Sequence, residues 1–348
     1  MIHFHTLTVK AVDKITPKSI VITFEIPENL SSEFKFEPGQ YITIKKEING
    51  EELRRSYSIC SSPDVKNISV GIKEMPNGTF SKYAQTISAG DTFEVHPPDG
   101  RFIFDPKSGN DKTIAAFAAG SGITPIMSIM KTVLEKTDSS FLLAYGNKTV
   151  ENTMFYNDIL KLKETYPERL NLHFLFSQSQ EEGVMFGRIE RSTINYLLKN
   201  KYKDIAFDAF YICGPEEMLN TLSETLSDNG IEEDRIKVEH FTSTDDHEAP
   251  DDIPEGKTKV KALVDEEEFE FIMDHKERVL DAALKEDIDA PYSCQGGICS
   301  SCMARLKKGK VEMVNNQILT DSELEEGFIL TCQAHPLTDS IEIDYDDV

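Results

Sequence analysis

Four cysteines in the C-terminal part of the chain have the spacing of iron–sulfur cluster ligands. Cys294, Cys299 and Cys302 follow the pattern C-x4-C-x2-C, and Cys332 comes after 29 further residues. This spacing is typical of a [2Fe–2S] cluster, in which each iron takes two thiolates besides the bridging sulfides. Three ligands would come from one tight loop and the fourth from a distant strand. At Gly296 and Gly297 we expect backbone angles that a Cβ would oppose, and N–H groups that approach the sulfurs.

A structural zinc site or a disulfide pair is the alternative use of these cysteines. Zinc sites usually contain C-x2-C couples, and only Cys299 and Cys302 form one here. The spacing therefore favours the cluster. Cys60 and Cys213 lie in unrelated segments, which suggests reduced thiols and a cytoplasmic setting.

Two short motifs in the N-terminal part could bind a flavin. The first, Arg55–Ser58 (RSYS), offers an arginine and serines that bind phosphate and a tyrosine with a flat face for an isoalloxazine ring. The second, Gly78–Ser81 (GTFS), opens a short helix whose free N–H groups and dipole favour a pyrophosphate. Each string alone is more often an ordinary strand end or helix start. Their order on a strand-rich segment indicates a flavin site.

Two further motifs could bind a pyridine nucleotide. Gly120–Pro125 (GSGITP) follows an apolar strand and opens a helix, so its glycines let the backbone approach a phosphate. It is not G-x-G-x-x-G, and a glycine turn without a ligand is the alternative. Cys213–Met218 (CGPEEM) ends a later strand, at the edge where open α/β sheets bind ligands. For Cys213 the alternative is a small buried apolar residue.

The elements that position these motifs divide the chain into three domains and a linker. Residues 1–108 contain short alternating strands and one helix, which predicts a flavin-binding antiparallel β-barrel. Residues 109–241 alternate buried strands with helices, which predicts an α/β domain with a parallel doubly wound sheet. Residues 242–257 are acidic with two prolines and predict a linker. Residues 258–348 read as a hairpin, a helix, the cysteine loop and a last strand, an α+β domain.

The charge of the chain is negative and unevenly distributed. The net charge is −24, and residues 258–348 carry 9 basic against 21 acidic side chains. This balance argues against nucleic acid as a partner. It suits either solubility alone or electrostatic steering towards a basic face of a partner protein. The sequence has no 18-residue apolar run and no export signal at its N-terminus, so we expect neither a membrane span nor export.

The order of the motifs resembles the ferredoxin–NADP reductase superfamily with a plant-type [2Fe–2S] ferredoxin domain fused at the C-terminus. The resemblance covers essentially the whole chain, and within the superfamily it is greatest to the reductase components of ring-1,2-phenylacetyl-CoA epoxidases. It implies an FAD-binding barrel, an NAD(P)-binding α/β domain and a β-grasp ferredoxin domain. The stretches that carry it are RRSYSICSS, HPPDGRF, AGSGITPIMS, YICGPEEM, PYSCQGGICSSCMA, KGKVEM and EEGFILTCQAHP.

The resemblance also implies roles for individual residues. Thr124, close to the flavin, and Cys213, beside the nicotinamide, are the candidate catalytic residues. Phe241 resembles an aromatic residue that covers the other face of the flavin, although a place in the core of the last strand is the alternative. The remaining implied positions are Arg55, Tyr57 and Ser58 for the flavin, Gly78, Thr79 and Ser81 for its pyrophosphate, Gly120, Gly122 and Pro125 for the nucleotide, Gly214, Pro215 and Met218 beside the nicotinamide, and Cys294, Cys299, Cys302 and Cys332 for the cluster.

One departure from the family pattern leaves the choice between NADPH and NADH open. Relatives that prefer NADPH often carry serine and then arginine after the third strand, but this chain has Ser177 followed by Gln178. Arg188 could substitute, since a guanidinium group binds phosphate well.

The three domains together imply electron transfer. A nicotinamide delivers two electrons as hydride, a [2Fe–2S] cluster accepts one, and a flavin converts between them. No H-E-x-x-H, G-x-S-x-G or E-x-x-H motif occurs, so we expect oxygen chemistry to take place on another subunit of the system. The sequence predicts an NAD(P)H-dependent reductase that passes electrons through FAD and the cluster to an oxygenase.

The resemblance implies, as the acceptor, a di-iron epoxidase acting on an aromatic acyl-CoA in aerobic phenylacetate degradation. The alternative acceptors are a Rieske-type ring hydroxylase and an acyl desaturase. A third alternative, from another class, is a redox-responsive binding protein whose cluster is a sensor or a structural staple.

Overall fold

A computed structural model describes residues 4–108, 111–241, 253 and 256–348. Phe4–Phe241 forms one compact unit, and the described residues after 252 belong to a second. The domain boundaries given above stay predictions, and the linker predicted over 242–257 falls mostly outside the described residues.

The first six strands form an antiparallel sheet in the order β4-β3-β6-β1-β2-β5. An antiparallel bridge between Ile59 and Val70, and the hydrogen bond that Cys60 N–H donates to the Ser69 carbonyl at 2.9 Å, join the end of β4 to β5. The sheet therefore curls on itself, and the predicted barrel is confirmed. Alternate side chains such as Ile20, Ile22 and Phe24 fill its interior. The elements are β1 (His5–Thr16), β2 (Ser19–Glu25), β3 (Tyr41–Ile48), β4 (Glu51–Ser58), β5 (Ile68–Lys73), α1 (Thr79–Ala84) and β6 (Thr92–Asp99).

The next segment folds into a parallel sheet of order β10-β9-β8-β7-β11-β12, as predicted. Its central strand β7 is apolar on both faces because helices cover both sides. Two features differ from the sequence pattern. Strand β10 has only two residues, too few for a periodic signal, and the helix α4 ends in a π-helical turn at Leu197–Lys201. The elements are β7 (Thr113–Ala119), α2 (Ile123–Lys136), β8 (Ser140–Asn147), α3 (Tyr156–Thr165), β9 (Leu170–Phe176), β10 (Met185–Phe186), α4 (Arg191–Tyr196), β11 (Ala209–Gly214), α5 (Glu216–Asp228) and β12 (Ile236–His240).

The strand order of this sheet reverses between β7 and β11. Strands β8 and β9 follow on one side of β7, and β11 and β12 lie on the other. Connections leave the carboxyl ends of β7 and β11 towards opposite faces, which opens a crevice where α/β sheets bind ligands. Both predicted nucleotide motifs start at these two strand ends.

The second unit contains a five-stranded mixed sheet of order β14-β13-β19-β15-β17 and a small β16-β18 pair. The predicted hairpin (β13 with β14), helix (α6) and last strand (β19, parallel to β13) are present, and the predicted α+β class is confirmed. No helix in the described ranges is long and apolar enough to cross a bilayer. The elements are β13 (Lys257–Val264), β14 (Glu267–Asp274), α6 (Val279–Lys285), β15 (Met303–Lys308), β16 (Val311–Met313), α7 (Asp321–Glu325), β17 (Phe328–Leu330), β18 (Ala334–Pro336) and β19 (Ser340–Asp344).

Within Phe4–Phe241, side chains of the barrel and of the parallel sheet meet in one hydrophobic cluster, while the barrel interior and the other face of the sheet form clusters of their own. Phe102 and Phe104, which follow β6, are buried among side chains of α2 and the sheet. The rings of Phe102 and Tyr211 pack edge to face with their centroids 5.3 Å apart, and the Tyr211 hydroxyl donates a hydrogen bond to the Ile103 carbonyl at 3.0 Å. The two lobes are therefore held together by apolar burial and by directed hydrogen bonds.

We predict that Tyr211→Phe lowers the free energy of unfolding of the chain by about 1–2 kcal/mol, because the Ile103 carbonyl loses its buried partner. Chemical denaturation followed by circular dichroism measures the change. Tyr196→Phe, at a half-exposed ring, is the control and should stay within about 0.5 kcal/mol of wild type. Equal stability of the two variants would contradict the role given to this hydrogen bond.

Candidate functional site

The four cysteines of the second unit are buried and lie as two pairs. The sulfurs of Cys294 and Cys299 are 3.0 Å apart, and the thiols of Cys302 and Cys332 are hydrogen-bonded to each other. A disulfide would need about 2.05 Å, and all four thiols are free. The Thr331 N–H and hydroxyl both bind the Cys302 carbonyl, at 3.1 and 2.9 Å, and so hold the end of β17 against the cysteine loop.

This pairing distinguishes between the two metal sites considered above. A structural zinc ion needs about four ligands around one point. A [2Fe–2S] cluster instead takes two thiolates at each of two irons. The arrangement of the four thiols therefore fits the two-iron cluster.

The loop backbone agrees with the sequence expectation at one of the two glycines. Gly297 has φ +74°, and a Cβ there would lie 2.5 Å from the Asn315 carbonyl oxygen. Gly296 does not have a positive φ, so the expectation for its backbone angles was wrong, and Gln295 takes the second left-handed position at φ +54°. The Gly296 N–H does point to the Cys294 sulfur, at 3.4 Å.

Two amide side chains that the sequence analysis did not single out support the same loop. Asn315 Nδ2 donates to the Gly296 carbonyl at 2.7 Å, and the buried Gln333 donates to the Gln295 carbonyl at 2.8 Å. Both bonds fix carbonyl groups next to the left-handed residues. Gln333 could have been suspected from its place beside Cys332, but nothing in the sequence marks Asn315.

In the barrel, the structure brings the two predicted flavin motifs together. Arg55, Tyr57 and Ser58 lie on β4, and the ring of Tyr57 is 5.6 Å from that of Phe80 on α1. Gly78 precedes α1, and a Cβ there would come within 2.3 Å of the Ser81 hydroxyl oxygen. That oxygen accepts a hydrogen bond from Met75 N–H at 3.0 Å, so Ser81 already holds the turn that carries Gly78 and Thr79.

In the parallel sheet, the loop after β7 lies against both the barrel and β11. Gly120 has φ +56°, and α2 begins directly after Gly122, with Pro125 in its first turn. A Cβ at Gly122 would lie 2.1 Å from the Cys213 carbonyl oxygen. The Thr124 methyl group is 2.8 Å from where a Cβ on Gly71 of β5 would be, and its hydroxyl donates to the Ser121 carbonyl at 3.0 Å. Thr124 is therefore at the junction of the two lobes.

The second nucleotide motif lies beside the first. Gly214 ends β11, and a Cβ there would meet Met218 Cε at 2.5 Å and the Ala119 side chain at 3.1 Å. Pro215 immediately precedes α5. Cys213 pairs with Ala118 of β7 on one side and with Glu239 of β12 on the other. Burial, and then the charge of Glu239, raise the pKa of the Cys213 thiol well above its ordinary value, so it stays protonated.

Phe241 follows the last strand β12 and is 36% exposed. This exposure is greater than a core position of the strand would have. The structure thus leaves its ring accessible, and its role against the flavin stays a prediction.

Lys73 was not predicted from the sequence, but it lies at the nucleotide loop, and Lys148 is close enough to repel it. Lys73 ends β5, and its ammonium is 3.6 Å from where a Cβ on Gly120 would be. Burial, and next the repulsion of Lys148 beyond β8, lower the pKa of Lys73. Two neighbouring cations beside a glycine loop suit a phosphate group. A lysine at the end of a predicted strand was the only signal in the sequence.

Arg188 lies close to the segment where the family's arginine is absent. Gly187 N–H donates to the Phe176 carbonyl at 2.9 Å, which attaches the exposed Arg188 segment to the end of β9. Ser177 and Gln178 continue from the same strand end. The backbone of the Arg188 segment therefore lies beside the end of β9, and the role of Arg188 stays a prediction.

Three family models match the chain in succession. They describe an oxidoreductase FAD-binding domain over residues 6–104, an oxidoreductase NAD-binding domain over residues 117–224 and a 2Fe-2S iron–sulfur cluster binding domain over residues 263–337. These three matches confirm the expected cofactor set of FAD, pyridine nucleotide and [2Fe–2S] cluster.

Proteins with the same organisation are similar to the whole chain. A component of the 1,2-phenylacetyl-CoA epoxidase of Escherichia coli K12 is 37% identical over 351 residues, covering 99% of both chains. The ferredoxin reductase component of a Rhodococcus rhodochrous 3-ketosteroid-9-alpha-monooxygenase is 33% identical, covering 97% of this chain and 96% of the relative. The solved structure of phthalate dioxygenase reductase superposes with a TM-score of 0.63 at 20% identity, covering 98% of both chains, which shows the shared fold.

We predict that Gly122→Ala slows nucleotide oxidation about tenfold or more, because the added Cβ collides with the Cys213 carbonyl and moves the loop. Ferricyanide reduction with NADH and with NADPH measures the rate. Gly90→Ala is the control, since its Cβ meets no atom within 4 Å although φ is +97°. A wild-type rate for Gly122→Ala would show that this close approach is not needed.

Proposed function

The chain belongs to the family of oxidoreductases that join an FAD-binding, an NAD-binding and a 2Fe-2S cluster-binding domain, and on this premise we propose that it is the reductase component of a multicomponent oxygenase. It takes electrons from NADH or NADPH and passes them by way of FAD and the cluster to a separate oxygenase. The observation that carries this function is the paired arrangement of four buried thiols in a chain that also has both nucleotide-type domains. When bound, the two cofactors supply the conversion of a two-electron donor into single electrons.

The residues of the chain bind and orient the reactants. We propose that the protonated, buried Cys213 shapes an uncharged wall beside the nicotinamide, and that Thr124 keeps the nucleotide loop against β5. Lys73 beside Gly120 attracts the phosphates to this loop, and the nearby Lys148 adds to the positive charge. The other proposed positions are Arg55, Tyr57, Ser58, Gly78, Thr79, Ser81 and Phe241 for the flavin, Gly120, Gly122, Pro125, Gly214, Pro215 and Met218 for the nucleotide, and Cys294, Cys299, Cys302 and Cys332 for the cluster.

For the acceptor we propose a di-iron epoxidase acting on an aromatic acyl-CoA. Support comes from the 37% identity to a component of a phenylacetyl-CoA epoxidase over the whole length of both chains. The 33% identity to a ketosteroid monooxygenase reductase favours a second candidate, a ring hydroxylase of the Rieske type. We also propose a cytoplasmic setting, because all six cysteines are free thiols in the structure.

The proposed function is tested by visible spectra of the anaerobically purified protein. We expect flavin bands near ~450 nm with a broad iron–sulfur shoulder, which bleach when NADPH or NADH is added. In Cys299→Ser, one iron loses a ligand, so electron transfer to the oxygenase stops while flavin reduction and ferricyanide reduction stay close to wild type. Cys60→Ser, at a buried cysteine outside the cluster loop, is the matched control for transfer to the oxygenase.

Two results would count against this function. A flavin spectrum without iron absorption, or no bleaching by either nucleotide, would favour the binding-protein alternative. If ferricyanide reduction in Cys299→Ser fell as far as transfer to the oxygenase, the separation of flavin and cluster functions would be wrong.

We predict that Arg188→Gln lowers kcat/KM for NADPH about tenfold or more and changes the value for NADH less than about threefold. The reason is that a guanidinium–phosphate contact of about 1.5–3 kcal/mol is available only to the 2′-phosphate of NADPH. Steady-state rates with both nucleotides measure the difference. Arg191→Gln, at an exposed arginine on α4, is the control. Equal losses with both nucleotides would mean that Arg188 does not distinguish them.

A further inference from the structure

A pocket opens between the barrel and α2, away from the residues assigned above to flavin, nucleotide or cluster. Its walls come from β2, β5, the loop that joins β4 to β5, and α2, and its volume is about 380 Å³. Small-molecule pockets span roughly 300–1,000 Å³. The cavity is therefore large enough for a small metabolite.

The wall of this pocket contains a buried hydroxyl group without a partner. Ser62 is 7% exposed, and its Oγ is hydrogen-bonded to no other group of the described chain. A buried polar group that lacks a hydrogen bond is destabilising and uncommon in folded proteins. Ser62 is one of the residues that line the pocket.

The other polar groups of the pocket are mainly hydrogen-bond donors. Lys131 Nζ gives one hydrogen bond to the Cys60 carbonyl, at 3.1 Å, and keeps two N–H groups for a ligand. Lys66 is exposed at the rim, and Asn67 accepts with its Oδ1 from Ile26 N–H, which leaves its NH₂ group for other contacts. This excess of donors suits a ligand that consists mainly of acceptors.

The charge of the lining favours an anion. Two lysines and one glutamate, Glu135, line the pocket, although the chain as a whole carries −24. Near the rim, Asp64 is neutralised by Lys136 at 2.6 Å. Burial, and to a smaller extent the charge of Asp158, raise the pKa of the Cys60 thiol; Asp158 itself does not line the pocket. The lining thus has a formal excess of one positive charge.

We propose that this pocket binds a small oxyanion, the phosphate or carboxylate group of a metabolite, between Lys66, Lys131 and the Ser62 hydroxyl. The site joins the two lobes of the first unit. Ser62 and Lys66 belong to the segment that continues from the β4 flavin motif, and Lys131 lies on the helix that begins at the nucleotide loop. Across the same joint, the Ser128 hydroxyl already donates to the Ser61 carbonyl at 2.7 Å. A bound oxyanion adds a further link there and stabilises the junction.

The test uses the full-length protein with its cofactors bound and inorganic phosphate as the probe, at an ionic strength held constant with sodium chloride. Calorimetric titration measures affinity, and hydrogen exchange locates the site. We expect saturable binding and slower amide exchange in residues 61–69, where Val65 N–H donates to the Ser62 carbonyl and Ser69 N–H to the Ser61 hydroxyl. Parallel titrations with glycerol 3-phosphate and with acetate show whether the site prefers a phosphate ester, a carboxylate or free phosphate. Tighter binding of one of these three probes than of the other two supports the site.

Two variants separate a formed site from surface attraction. Ser62→Ala removes an unpaired hydroxyl, so the free energy of unfolding without phosphate should stay the same or rise, while the Kd for phosphate rises about tenfold. Lys66→Gln should weaken phosphate binding to a similar extent. Lys35→Gln, at an exposed loop lysine between β2 and β3, is the control and should leave the Kd unchanged.

Three outcomes would overturn the proposal. If Lys66→Gln weakens phosphate binding and Ser62→Ala does not, the probe is an adventitious ion only, held by surface charge. If Lys35→Gln weakens binding as much as Lys66→Gln, the attraction is not specific to the pocket. Slower exchange outside residues 61–69, without any change inside them, would place the phosphate elsewhere.

Discussion

The close approach of the β7–α2 loop to two neighbouring strands is the constraint on which the first unit depends. Gly122 lies against the Cys213 carbonyl, and Thr124 lies against Gly71 of the barrel. A Cβ on Gly122 would collide with backbone atoms, which cannot move aside as a flexible side chain can, and a Cβ on Gly71 would lie 2.8 Å from the Thr124 methyl group. These contacts align the carboxyl edge of the parallel sheet with the end of β5. The nucleotide motifs therefore lie beside β5 of the barrel.

The cluster loop depends on how burial and hydrogen bonding affect the protonation of its thiols. Its thiols are buried, and hydrogen bonding between neighbouring thiols, followed by burial, raises the pKa values of Cys299 and Cys302. The hydrogen bond with Cys299 lowers the pKa of Cys294 instead, so the polypeptide opposes the thiolate form at Cys299 and Cys302 but not at Cys294. What the polypeptide supplies is position. Left-handed residues, amide side chains on loop carbonyls and the Thr331 bonds to Cys302 fix the four sulfurs as two pairs.

Local patterns were sufficient for the architecture and insufficient for several site residues. Period-two strands and alternating strand–helix segments predicted the barrel and the parallel sheet because each element must bury one or both faces. Strand β10 was missed because two residues have no period, and the π-helical turn after α4 interrupts a pattern that continues in the sequence. Gly296 was expected to have backbone angles that a Cβ would oppose, but Gln295 takes the left-handed conformation instead. A glycine permits positive φ but does not require it, so only the path of the chain decides which residue takes it.

The sequence by itself determined the classes of the three domains, the identity of the four cysteines as the proposed cluster ligands, and the order of the flavin and nucleotide motifs. These features are local, since they rest on spacing and periodicity within short segments. The tertiary structure decided which distant groups meet: Lys73 with Gly120, Asn315 with the cysteine loop, and Ser62 with Lys131 around a shared pocket. Such contacts join residues far apart in the chain. They follow from the packing of whole lobes, for which no single segment carries a signal.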